Sequence, residues 1–250
     1  MYGLDTYDHG ARQYNPARIT WDRMDQLSED KPWQSPYLFC SGNPVNRIDP
    51  DGKDDFFDNS GNFLRSTMTG TNNIYIEKET KTTLLSEYKF KYFRPMIRLL
   101  QHYAKQIGVK ANIEIGIKNR KNTAGTYAET VNNKAIYFYT KDMKFDNDMN
   151  SVDNMKSTMN HEKIHTENIK STASDEAETI MKEMESPYFK NTTDEFKSGT
   201  CGYLQKELTK LYEINTGSYY GIVEGAMRLL EKYGANSHPV YYDGTVRFNK

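Results

Sequence analysis

The sequence predicts an α+β fold, in which a small mixed sheet is followed by a helix carrying a histidine pair and further C-terminal helices, behind a short N-terminal stretch of strands and turns. Three observations predict it. Short runs of alternating apolar and polar residues, such as Ile113–Ile117 and Ala135–Tyr139, read as strands. Apolar residues at helical spacing mark a helix from Arg94 and several more after Asn150. Finally, His161-Glu162-Lys163-Ile164-His165 sets two histidines four residues apart, the spacing that puts both on one face of a helix.

Taken in order, residues 1–53 are rich in Tyr, Pro, Asn, Asp and Gly and are broken by turn signals at Asn15-Pro16, Asn43-Pro44 and Asp51-Gly52. They read as small strands and turns, too short to hold a core alone. The acidic run Asp49, Asp51, Asp54, Asp55 and Asp58 lacks the twelfth-position glutamate of a calcium loop and reads as a solvated linker. Phe56 to Leu64 reads as a hairpin around Asn59-Ser60-Gly61, and Asn73–Ile76 as another short strand. Met96, Ile97, Leu99, Leu100, Tyr103, Ala104 and Ile107 form a helical stripe, with Pro95 suited to its first turn and Gly108 to its stop. His102 lies on this helix and reads as a core or boundary residue. Asn122–Ala128 is a loop or a further short strand. A helix over about Asn150 to Lys170 then carries the histidines, with Val152, Met155 and Met159 as its core stripe and the motif far round from it, facing a cleft. Glu195–Tyr212 and Ser218–Tyr233 read as scaffold helices, and Tyr241–Val246 as a terminal hairpin.

Composition narrows the function. Net charge is −1, hydrophobic content is 36% and charged content 27%. That balance lacks the basic footprint of a nucleic-acid binder, so no nucleic-acid partner is expected. Cys40 and Cys201 match no metal or redox spacing and read as ordinary thiols. No apolar run approaches a membrane span, and the N-terminus lacks the basic and apolar regions of a signal peptide.

The histidine motif carries the chemistry. Two imidazoles so placed can both reach one Zn²⁺, and the glutamate beside the first, Glu162, can take a proton from the metal's water. H-E-x-x-H is the signature of zinc-dependent peptidases. A third protein ligand is needed, and Ser174-Asp175-Glu176-Ala177-Glu178 offers three carboxylates. Thr172 with Asp175, or Ser174, can cap a new helix whose buried stripe is Ala177, Ile180, Met181 and Met184. Asp175 points away from that stripe, as a first-turn charge favoured by the helix dipole. Glu176 and Glu178 fall on its opposite shoulders, at about 90° and 110° from its centre, so periodicity leaves both open.

Two resemblances extend this reading. Tyr7-Asp8-His9-Gly10-Ala11-Arg12-Gln13-Tyr14, Arg18-Ile19-Thr20-Trp21, Met24-Asp25, Ser35-Pro36-Tyr37, Asn43-Pro44-Val45-Asn46 and Ile48-Asp49-Pro50-Asp51-Gly52 occur in the order of the end of an Rhs repeat-associated core, which residues 1–53 resemble. The resemblance implies that residues 54–250 are a variable C-terminal toxin domain, with a cognate immunity protein as partner. It also maps the paired aspartates of Rhs self-cleavage onto Asp25 and Asp49, although Gln26 stands where the family has proline and Lys53 where an apolar residue often precedes the cut. As encoded, the chain is expected in the cytoplasm, and outside the cell as an effector when joined to a full Rhs shell.

Glu176 through Met184-Glu185-Ser186-Pro187 resembles the Glu-initiated helix, ending at proline, that follows H-E-x-x-H in Rhs-associated metallopeptidase toxins. That resemblance places the third ligand at Glu176 rather than Glu178, and it implies a zincin-like fold of the gluzincin branch. Zincins pair an extended substrate with a strand edge beside the motif helix. By that analogy Ala135–Thr140 is the expected edge, with Ile136 and Phe138 contacting a peptide or protein substrate. Tyr203, Tyr212, Tyr219, Tyr220 and His238 are candidates for stabilising the oxyanion, and the sequence does not choose among them. The competing readings are an inert, displaced cassette acting as a binding module, and a zinc hydrolase of a non-protein amide such as cell-wall peptide.

Overall fold

A computed structural model describes residues 7–8, 13–18, 20–24, 35–37, 54–67, 71–119, 126–167, 173–213, 219–235, 239–242 and 245–248. Near the N-terminus, β1 (Tyr7–Asp8), β2 (Gln13–Asn15) and β3 (Thr20–Trp21) form an antiparallel meander. Trp21 is buried there, edge-on to Tyr14.

A four-stranded sheet follows, ordered β5-β4-β6-β7, from β4 (Asp54–Asp58), β5 (Phe63–Thr67), β6 (Ile74–Lys78) and β7 (Lys81–Leu84). The expected hairpin is the β4–β5 pair. Asp58 Oδ1 accepts from the backbone amides of Ser60 and Asn62, and Gly61 supplies the positive φ the turn requires. Those bonds, with the Asn62 side chain, outweigh burial and lower the Asp58 pKa. The rest of the acidic run corrects the solvated-linker reading. Asp54 and Asp55 are buried in β4, because Asp54 accepts from Thr71 Oγ1 and the Asn73 amide, and Asp55 from Ser66 Oγ and Tyr103 Oη. Buried carboxylates are tolerated when hydrogen-bonded in this way. Asp49 and Asp51 lie outside the described residues.

Helix α1 (Phe93–Gln106) buries Met96, Leu99, Leu100, Tyr103 and Ala104, as its stripe predicts. It stops at Gly108 in a Schellman arrangement, with Gly108 N donating to Lys105 O and Val109 N to Ala104 O. His102 is a boundary residue, stacked on Phe63 at 4.3 Å between ring centroids. Its pKa is lowered by burial.

The second mixed sheet decides how the site is framed. Strands β8 (Glu114–Asn119), β9 (Ala128–Val131) and β10 (Ala135–Thr140) are ordered β8-β10-β9, with β10 parallel to β8 and antiparallel to β9. The expected open edge at Ala135–Thr140 is therefore overturned. β10 is paired on both sides, and Ile136 and Phe138, offered as substrate contacts, are core residues at 0% exposure. Ala135 and Tyr139 are buried as well, so both faces of β10 are covered, which suits a central strand. The edges of this sheet are β8 and β9, and β9, which begins at Ala128, is the one packed against the motif helix.

A 3-10 turn (Asn147–Asn150) leads into α2 (Val152–Glu167), the motif helix, which is followed by α3 (Ala173–Glu185), α4 (Pro187–Lys190), α5 (Asp194–Glu213) and α6 (Tyr219–Lys232). Ser186 caps α4 with Pro187 in its first turn. The hairpin of β11 (Pro239–Tyr242) and β12 (Thr245–Phe248) comes last. One core runs from Phe57 through α1, the second sheet and α2 to Leu230 of α6.

Candidate metal centre

Helix α2 departs from a simple two-faced helix. Val152, Met155 and Met159 are buried as expected, but so are Asp153, Asn154, Ser157, Thr158, Asn160 and Glu162. The helix packs against β9, α3 and α4, and Ser157 and Glu162 find hydrogen-bond partners there while Asp153 and Asn154 find theirs in neighbouring loops. Asn72 Nδ2 donates to Asp153, and Asn154 Oδ1 accepts from the Thr193 amide. The motif thus occupies a largely enclosed helix rather than a solvated face.

Helices α2 and α3 bring three donors together. His165 Nε2 lies 3.1 Å from His161 Nε2. Glu176 places Oε2 3.1 Å from His165 Nε2 and Oε1 3.4 Å from His161 Nε2. One ligand atom from each of the three lies within 4.8 Å of the others, a grouping that can hold a metal ion. Glu178, the alternative third ligand, is exposed on α3. Packing thus places Glu176, and not Glu178, beside the two histidines.

The electrostatics follow from this crowding. Burial pulls the His161 pKa down, but hydrogen bonds to Glu176 and Glu183 outweigh it and raise it well above the usual imidazole range. Glu176 is likewise desolvated, yet the two histidines hold its carboxyl far below the ordinary carboxylate range. Glu162 goes the other way, because burial raises its pKa against the opposing pull of His161, Thr130 and His165. Glu162 is 5% exposed, and its Oε2 lies 2.8 Å from Thr130 Oγ1 on β9.

Sequence reasoning missed two groups behind the cluster. Glu183 accepts from Ser157 Oγ at 2.7 Å and contacts His161 Nδ1 at 2.8 Å. A signal existed, since Glu183 follows Glu176 by seven residues and so shares its helix face. Thr130 carried no such signal, being an unremarkable strand threonine. Of the oxyanion candidates, Tyr203 on α5 reaches the cluster. Burial, then the charge and hydrogen bond of Glu176, push its phenol far above the usual value. The side chains of Tyr212, Tyr219 and Tyr220 fall outside the described residues, as do His238, His9, Cys40, Asp25, Asp49 and Thr172. Cys201 is a buried free thiol whose pKa burial raises.

A family model described as metallopeptidase toxin 2 matches residues 55–242. The chain belongs to the metallopeptidase toxin 2 family. The match covers both mixed sheets, α1 to α6 and the whole His161–His165–Glu176 grouping. No curated protein and no solved structure shows a match to the chain. For a metallopeptidase toxin the chemistry is peptide hydrolysis with the help of a metal, and this grouping is where the described residues can hold one. No described helix of the toxin domain is long and apolar enough to cross a membrane.

Proposed function

We propose that this metallopeptidase toxin is a zinc-dependent peptidase of the H-E-x-x-H type, with His161, His165 and Glu176 as ligands and Glu162 as general base. Donor spacing carries the reading. Zinc bonds of 2.0–2.1 Å at tetrahedral angles set ligand atoms about 3.3 Å apart, and the contacts here are 3.1, 3.1 and 3.4 Å. Two imidazoles and one carboxylate also form a known catalytic donor set that leaves one position for water. When bound, zinc would polarise the scissile carbonyl and make water more acidic. Glu162, next in sequence to His161 and buried beside the cluster, would take the water proton and deliver it to the leaving amine. Tyr203, whose phenol feels the Glu176 charge, is our choice for steadying the developing oxyanion. An extended peptide would pair with the edge of β9, by analogy with zincins.

In this proposal residues 1–53 are the end of an Rhs core, residues 54–250 are the toxin it delivers, and an immunity protein protects the producing cell. The ordered Rhs-like motifs and the toxin family support it. Metal content of the purified protein tests the chemistry. About one zinc per chain is expected in wild type and in Glu162→Gln, none in His165→Ala, and peptide hydrolysis only in wild type. Full toxicity of Glu162→Gln would overturn the peptidase assignment.

A further inference from the structure

Glu162 and Thr130 meet where two elements with different tasks touch. Glu162 belongs to the motif helix α2, whereas Thr130 belongs to β9, the strand that pairs with β10 on one side and with no described strand on the other. Thr130 Oγ1 lies 2.8 Å from Glu162 Oε2 and 2.9 Å from the Glu162 carbonyl oxygen. Its one proton is thus directed at the acidic side chain and at the helix backbone that carries it. A carboxylate on a flexible stem has several rotamers, and a charge-assisted hydrogen bond selects among them. Here the bond engages Oε2 and leaves Oε1 as the oxygen free of Thr130.

We infer that Thr130 is a positioning residue for the general base, holding the Glu162 carboxylate from the strand along which substrate would lie. This rests on the peptidase reading of the same site. The pleat separates the two duties of β9. Side chains stand roughly perpendicular to the sheet while an added strand pairs in its plane. Removal of the Thr130 hydroxyl therefore leaves backbone pairing with a peptide in place and releases only Glu162.

Thr130→Val keeps the shape of the side chain and deletes the hydroxyl, and Thr130→Ser keeps the hydroxyl. With metal-loaded full-length protein and a mixture of unstructured peptides, Thr130→Val should lower kcat about tenfold, the scale of one hydrogen bond to a charged group. KM and metal content should stay close to wild type while Tm falls with the lost buried hydrogen bond, and Thr130→Ser should recover both Tm and kcat, the latter to within about twofold. A valine variant with wild-type kcat overturns the inference, as does a serine variant as slow as the valine one. Crystal structures of wild type and Thr130→Val supply a readout independent of activity. Glu162 should leave its wild-type rotamer in the valine variant, and an unmoved carboxylate overturns the inference. If wild type binds metal but cleaves no peptide, the peptidase reading fails while the rotamer comparison still decides the role of Thr130.

Discussion

Glu183 reaches from α3 to set one carboxylate oxygen 2.8 Å from His161 Nδ1 and the other 2.7 Å from Ser157 Oγ, one helical turn earlier on α2. With Nδ1 engaged, Nε2 is the nitrogen that faces His165 and Glu176. A carboxylate behind a histidine in this way sets its tautomer and ring orientation.

Glu183→Ala is therefore expected to weaken metal binding about 10- to 100-fold. It also leaves Ser157 and His161 without a buried partner, which should lower stability by about 1–3 kcal/mol. Competition with a calibrated chelator measures the first effect and denaturant melts the second. Unchanged metal affinity would reduce Glu183 to a helix clasp.

The two carboxylates of α3 should separate cleanly. Glu176→Ala removes a donor 3.1 Å from His165 and should lower metal affinity far more than Glu178→Ala, whose side chain is exposed. The same chelator assay reads both, and the reverse order would move the third ligand to Glu178.

Ile136→Ala and Phe138→Ala test the reassignment of β10. Both side chains are at 0% exposure, so each truncation should destabilise the fold by about 2–5 kcal/mol through lost burial and a cavity. Chemical denaturation checks this, with the KM of the folded fraction expected to be unaltered. A raised KM at unchanged stability would restore them as substrate contacts.

Gly61→Ala should be strongly damaging. Gly61 has φ +78°, and a Cβ there would fall 1.9 Å from the Pro95 carbonyl oxygen. The left-handed backbone alone costs an alanine about 1–2 kcal/mol, and the clash forces the β4–β5 turn away from α1. A variant with wild-type Tm would show that the turn relaxes without cost.

Much of the toxin domain was legible because its signals are local. The stripe of α1 and the Gly108 stop reflect 3.6-residue periodicity and glycine's access to positive φ, both properties of a short segment. Ala177, Ile180 and Met184 were readable for the same reason, and all are buried. Strand β7 (Lys81–Leu84) was missed, since Lys-Thr-Thr-Leu has little alternation and owes its place to pairing with β6. The polar burial of α2 was equally hidden, because Asp153, Asn154 and Ser157 become core residues only through partners on distant elements.

By itself the sequence determined the α+β class, the motif helix and the pairing of His161 with His165, since a helix converts four-residue spacing into a shared face. It also limited the third ligand to a few carboxylates after the motif. Tertiary structure decided the rest. Packing of α3 on α2 turned Glu176 inward and Glu178 outward, and put Glu183 behind His161. Sheet order made β10 a central strand and β9 an edge strand, and the packing of β9 on α2 brings Thr130 to Glu162. These are contacts between residues 11 to 32 positions apart, and local periodicity carries no information about which faces of two elements will meet.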